Sequence, residues 1–306
     1  MDVAVLGAHS AGREIAQICA LAGYDVSLYA DDATAVMDGI DVVERRLDDA
    51  VVAGETEDDA VAATLDRLEG TTGLEAAVAE AGVIVETAID DATEIQRRFA
   101  AIEEHAAREA LVATSQSTIR TTAAAAGLRH PDRALGLQFH NLFSSPFVEI
   151  VVAEQTTEST VDRARGFVAG LDAAAVTVGD TPGHASVRLA LALEVEAMRM
   201  VDAGHAGVAA VDETLTAGSE HPVGPLERAD RAGLDSRLTT LETLTEALGP
   251  RFQPPPLLGD RIAAGATGSD AGEGFYVWEG GDPVEPAIPA PDLTRSATGL
   301  DDPGRD

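Results

Sequence analysis

Short apolar runs alternate with amphipathic stretches over the first 180 residues of this chain. Residues 2–6 are continuously apolar after Asp2, as in a buried strand; Gly7 interrupts the run, and residues 11–22 then repeat apolar positions at helical spacing. A second strand is predicted at 25–29. Residues 33–52 and 56–68 are polar and helical, parted by the turn Ala53-Gly54-Glu55, and predict a protruding helical hairpin near 33–68. Further strands are predicted at 83–86, 111–114, 135–139, 147–152 and 175–178, with a short strand or loop at 70–72. Helices are predicted at 74–79, 91–104 and 161–171 between them. Regular strand–helix alternation implies a doubly wound, mostly parallel sheet of the Rossmann-like α/β class.

The pattern changes at Gly179-Asp180-Thr181-Pro182-Gly183. Beyond it only helical periodicity is visible, at 187–203, 208–217 and 224–248 with a break near Gly233. This predicts a dinucleotide-binding domain over 1–182 and an all-α domain over 183–278. Residues 279–306 are rich in Pro, Gly and Asp and are expected to form a flexible tail.

Composition narrows the function classes. The formal charge is −32, from 53 acidic and 21 basic residues, and every basic residue is Arg. The acids are spread along the whole chain. Nucleic-acid binding is excluded as an expectation, because phosphate contacts need a basic face. The spread charge suits a salt-rich cytoplasm, where carboxylates keep the surface hydrated and salt screens their repulsion. No apolar run is long enough to span a bilayer, and no basic-then-apolar leader opens the chain, so no membrane partner is expected. Cys19 is the single cysteine and reads as a buried apolar residue; the seven His lack ligand spacing, so no metal is expected.

The first turn carries the candidate chemistry. Gly7 and Gly12 stand at two of the three glycine positions of a G-x-G-x-x-G turn, with His9 at the middle one. Such a turn aims the first helical N–H groups, here Ser10, Ala11 and Gly12, at a diphosphate. His9 can either donate to that phosphate or fill its niche. Asp31 and Asp32 follow the second strand, as a ribose-binding carboxylate or as a helix N-cap. Asp90-Asp91 has the same capping reading, which suits Asp91 better than Asp90.

In order and spacing, GAHSAGREIAQ, the helical hairpin, AGVIVETAIDD, TSQSTI, GLQFHN, FVEIV, DTPG, HPVGPLERADRAGLD and GEGFYVW resemble the 3-hydroxyacyl-CoA dehydrogenases over nearly all of residues 1–278. The resemblance implies an NAD-binding domain, a helical domain that often dimerises, and oxidation of the 3-hydroxyl of an acyl-CoA. By position it makes Ser117, Asn141 and Glu149 site residues and puts Asp90 near the nicotinamide ribose. It also marks departures. Gln138 stands for the family's catalytic histidine, Val187 for an Asn, Ala30 for the ribose-gripping carboxylate, and Asp270 for a Lys. A glutamine cannot take up and return a proton near neutral pH.

His140 lies two residues beyond Gln138, on the same side of an extended strand and about 6–7 Å along it. It is therefore a candidate base beside Glu149, against a plain reading as a packed aromatic. His184, His205 and His221 read as caps or turn packing. Ser117, His140 and Glu149 do not form a hydrolase triad, for want of a G-x-S-x-G elbow. Two functions remain open: an NAD-dependent 3-hydroxyacyl-CoA dehydrogenase acting as a cytoplasmic homodimer on an acyl-CoA or related hydroxy acid, or a non-catalytic relative serving as a binding partner. Ala30 leaves NAD against NADP undecided.

Overall fold

A computed structural model describes residues 1–54, 56–140, 146–219 and 221–293. It divides into two compact units, residues 1–184 and 185–306.

The first unit is built on an eight-stranded sheet. Its strands in chain order are β1 (Asp2–Leu6), β2 (Asp25–Tyr29), β3 (Leu68–Thr71), β4 (Ala81–Glu86), β5 (Leu111–Thr114), β6 (Ala134–His140), β7 (Phe147–Val152) and β8 (Ala174–Gly179). They lie in the order β3-β2-β1-β4-β5-β6-β7-β8. Pairing is parallel from β3 through β6, antiparallel between β6 and β7, and parallel between β7 and β8. Strand order reverses direction at β1–β4, which opens the crevice where such sheets bind ligands. Almost every residue of β1, β4 and β5 is buried, as two-sided coverage by helices requires.

The helices of this unit are α1 (Ser10–Leu21), α2 (Ala33–Val52), α3 (Asp58–Leu65), α4 (Leu74–Val78), α5 (Ala92–His105), α6 (Thr121–Ala125) and α7 (Glu158–Gly170). One apolar layer holds Ile15, Cys19 and Phe167 against the sheet; the other holds Ile95, Phe99 and Ile102. Asp32 caps α2 by accepting Ala35 N–H at 3.0 Å, and Asp91 caps α5 by accepting Thr93 and Glu94 N–H at 2.9 Å. The second helix of the hairpin ends earlier than the sequence pattern suggests. Leu68 leaves the helical path because it pairs with Val26 at the sheet edge.

In the second unit, α8 (His184–Asp202), which starts at the last residue of the first, is followed by α9 (Val208–Ser219), α10 (Pro225–Ala232), α11 (Leu234–Leu248) and α12 (Pro256–Ala263). Their core contains Leu191, Met198, Leu226, Leu241 and Phe275. Gly233, at φ +82°, makes the break between α10 and α11.

The second domain is helical as expected, and a short hairpin closes it. Strand β9 (Tyr276–Glu279) pairs antiparallel with β10 (Asp282–Pro286), so part of 279–306 is a hairpin arm. The turn is Gly280-Gly281, both at positive φ (62° and 89°), the two-residue connection that matches strand twist.

Candidate active site

Two groups of side chains meet the carboxyl ends of the parallel strands of the first unit. The first surrounds the β1–α1 turn. Gly7 holds φ +123°, and a Cβ there would come within 2.5 Å of Thr87 Oγ1. A Cβ on Gly12 would lie 1.7 Å from the Gly7 carbonyl, so the helix can pack this closely only with glycine. Ser10, Ala11 and Gly12 occupy the first turn of α1, and no side chain caps that end. Their N–H groups therefore face outward, suited to an anion. The His9 ring folds back over Gly7 and places Nε2 2.8 Å from the Thr87 carbonyl, which makes that nitrogen the donor.

Beside this turn lies a cavity of about 280 Å³ whose lining includes Gly7, His9, Arg13, Asp31, Glu86 and Arg98. Asp32 is used as a cap, which leaves Asp31 to face the cavity. Its carboxylate accepts from the Tyr29 hydroxyl and, at 2.9 Å, from Arg98. Those partners, Tyr29 foremost, hold its carboxyl below the usual range. The Arg98 guanidinium also stacks 5.1 Å from the centre of the Tyr29 ring. Asp31 thus sits one residue beyond Ala30, at the end of β2, with a carboxylate available to ribose hydroxyls. Asp90 is exposed, lies ahead of the Asp91 cap and is not among the residues lining this cavity.

Glu86 was not singled out from sequence. It ends β4, is 1% exposed, lines the same cavity, and accepts Ala88 N–H at 2.7 Å. Burial pushes its carboxyl up to about 7. The one sequence signal for it is an acidic residue closing an otherwise apolar run, Val83-Ile84-Val85-Glu86.

The second group stands on β6 and β7. Antiparallel register pairs Gln138 with Glu149 and His140 with Phe147, so all four face one side of the sheet. Glu149 is 1% exposed. His140 Nε2 lies 3.7 Å from Glu149 Oε2, within ion-pair range. The structure therefore brings together two sequence candidates that the chain separates by nine positions. Asn141 lies outside the described residues.

Ser117 stands on the turn between β5 and α6, its carbonyl accepting Gly183 N–H at 2.8 Å. Asp180 secures the same turn by accepting Thr121 and Thr122 N–H at 2.9 and 2.8 Å. Gln116 reaches the other way and donates from Nε2 to the Thr87 carbonyl at 2.9 Å, the acceptor that His9 also uses. The Ser117 turn is thereby tied to the nucleotide turn.

His184 has more to it than turn packing. It is 1% exposed, adopts φ +45°, and sets Nε2 3.4 Å from the Gln116 carbonyl. Burial pulls its imidazole below the usual range, against the opposing charges of Glu149 and Asp180. A buried imidazole held in left-handed backbone costs on the order of 1–3 kcal/mol, and such strain collects at functional sites.

Comparison with known proteins gives the family and the fold. Residues 2–181 match the family model for the 3-hydroxyacyl-CoA dehydrogenase NAD binding domain, and residues 183–278 match that of the C-terminal domain. A 3-hydroxybutyryl-CoA dehydrogenase of Bradyrhizobium diazoefficiens is 31% identical over 284 residues, covering 92% of this chain and 97% of the relative. One from Mycobacterium tuberculosis is 31% identical over 280 residues, covering 90% and 98%. The crystal structure of a (S)-3-hydroxybutyryl-CoA dehydrogenase from Ralstonia eutropha superposes with a TM-score of 0.83 at 28% identity, covering 91% of this chain and 99% of that one.

Proposed function

The chain belongs to the 3-hydroxyacyl-CoA dehydrogenase family, and we propose that it interconverts a 3-hydroxyacyl-CoA and a 3-ketoacyl-CoA with NAD as redox partner. The observation that carries catalysis is the His140–Glu149 pair on the face that Gln138 shares.

The first unit fits the cofactor. The first-turn N–H groups of α1 and the Gly7 and Gly12 contacts suit a diphosphate, and Asp31 suits a ribose diol. When bound, NAD supplies the acceptor for a hydride. The protein handles the proton. Nε2 of His140 faces Glu149, which orients the ring and leaves Nδ1 to take the proton of the substrate hydroxyl. Ser117 orients the substrate oxygen from the neighbouring turn. Asp31 at the end of β2 suits a ribose diol and disfavours a 2′-phosphate in its place, so NAD is preferred to NADP.

The −32 charge supports a salt-rich cytoplasm as the working environment. Exposed Leu189 and Leu193 on α8 support self-association as a homodimer.

The test is titration with NADH in multimolar KCl, followed by assay with acetoacetyl-CoA. Nucleotide binding with oxidation of NADH supports this reading. Folded protein with no affinity for the nucleotide would leave only the non-catalytic binding partner.

A further inference from the structure

Gln138 stands where an imidazole would be expected to work, yet its surroundings are those of a working group. Its side chain is 7% exposed, it pairs across the strands with Glu149, and its amide Nε2 is buried without a hydrogen-bond partner among the described residues. An amide donor left unmade costs about 1–3 kcal/mol. No packing advantage recovers that cost, because an apolar side chain would fill the position without it. Gln138 also lines a small cavity of about 110 Å³ beside Ala11 on α1 and Ser115 at the end of β5. The unused donor stands on the face of β6 that carries His140 and pairs with Glu149, one strand repeat from the imidazole.

A histidine acting on an alcohol does two things at one place. It hydrogen-bonds the oxygen, and it exchanges the proton. An amide can do only the first. His140, beside a buried carboxylate, can do the second.

We propose that this chain divides the two tasks between neighbouring residues on one face of β6: Gln138 donates from Nε2 to the substrate's C3 oxygen, and His140 holds the proton. This rests on the dehydrogenase reading above. In oxidation the substrate O–H bond breaks toward His140, which becomes imidazolium against Glu149. The oxygen keeps its hydrogen bond from Gln138 throughout, and that bond strengthens as negative charge gathers on it. In reduction the same bond polarises the ketone. The Gln138 contribution is independent of pH because the amide does not titrate, whereas proton transfer is the task His140 carries.

The experiment compares pH profiles of kcat/KM for NADH-dependent acetoacetyl-CoA reduction by the full chain in multimolar KCl. Gln138→Leu lowers kcat/KM about thirtyfold by the same factor at every pH, with NADH affinity within twofold. His140→Phe instead removes the limb on which activity falls as pH rises. Gln138→His in the His140→Phe background regains at least tenfold, because one side chain then performs both tasks. Gln138→Met repeats the first arm should the leucine variant fail to fold. The division is overturned if Gln138→Leu stays within threefold of the parent, if it moves the pH limb, or if Gln138→His rescues nothing. Absence of turnover and of NADH binding in the parent chain overturns the dehydrogenase reading and the division with it. A turning-over parent with an indifferent Gln138 overturns the division alone.

Discussion

The buried carboxylates of the two units serve different ends. In the second unit each buried carboxylate is provided for. Asp230 accepts from Phe275 N, Tyr276 N and Trp278 Nε1 at 2.8 to 3.0 Å. Asp212 accepts from Leu226 N and Glu227 N at 2.9 Å and from the Tyr276 hydroxyl. Glu194, fully buried, is ion-paired at 3.0 Å to both Arg228 and Arg237. In the first unit Glu86 accepts Ala88 N–H at 2.7 Å and lines a cavity, and Glu149 stands 3.7 Å from His140 Nε2. The second unit uses buried polarity to fasten the β9–β10 hairpin and α10 in place. The first sets it at the ends of its strands, Glu86 on a cavity wall and Glu149 beside His140 and Gln138.

The sharpest way to break this contrast is Asp230→Ala. It strips three donors of their acceptor, and we expect a loss of about 4 kcal/mol in chemical unfolding. A loss below 1 kcal/mol would mean that these bonds do not fasten the hairpin.

Glu86 gives the next largest effect. Its folded pKa, about 7, lies above the unfolded carboxyl value of 4.5, so the native state binds the extra proton between the two. Stability is therefore highest below pH 4.5 as far as this group is concerned, and falls by up to about 3 kcal/mol as pH rises to 7. Glu86→Gln should flatten that part of the stability–pH curve in thermal unfolding.

His140→Phe should lower kcat about a hundredfold while shifting the melting temperature little, since an aromatic ring fits beside Phe147. Unchanged kcat would remove His140 from the mechanism. Asp31→Ala should weaken NADH binding about tenfold and narrow its advantage over NADPH, read by fluorescence titration. Equal loss for both nucleotides would place Asp31 outside the ribose site.

Much of the fold was legible because local chemistry and global architecture agree in the β1–α1–β2 segment: an apolar run, an obligatory glycine and an amphipathic helix. The β9–β10 hairpin was missed because its Pro- and Asp-rich second strand has no apolar alternation, though Gly280-Gly281 marked the turn. In the site, Asp32 and Asp91 behave as caps, a local property that spacing reveals. Glu86 escapes that reasoning, and His184 reads from sequence only as a cap or turn residue, for the opposite reason. Their chemistry comes from burial and from neighbours far along the chain, Arg98 for one and Gln116 for the other.

By itself the sequence determined the alternation of strands and helices, the family and the glutamine at 138, since these depend on periodicity and residue identity alone. Only the tertiary structure decided that Asp31 rather than Asp32 faces the nucleotide cavity and that His140 stands 3.7 Å from Glu149. Those outcomes depend on cap geometry and on antiparallel register, which set distances between residues that no local pattern links.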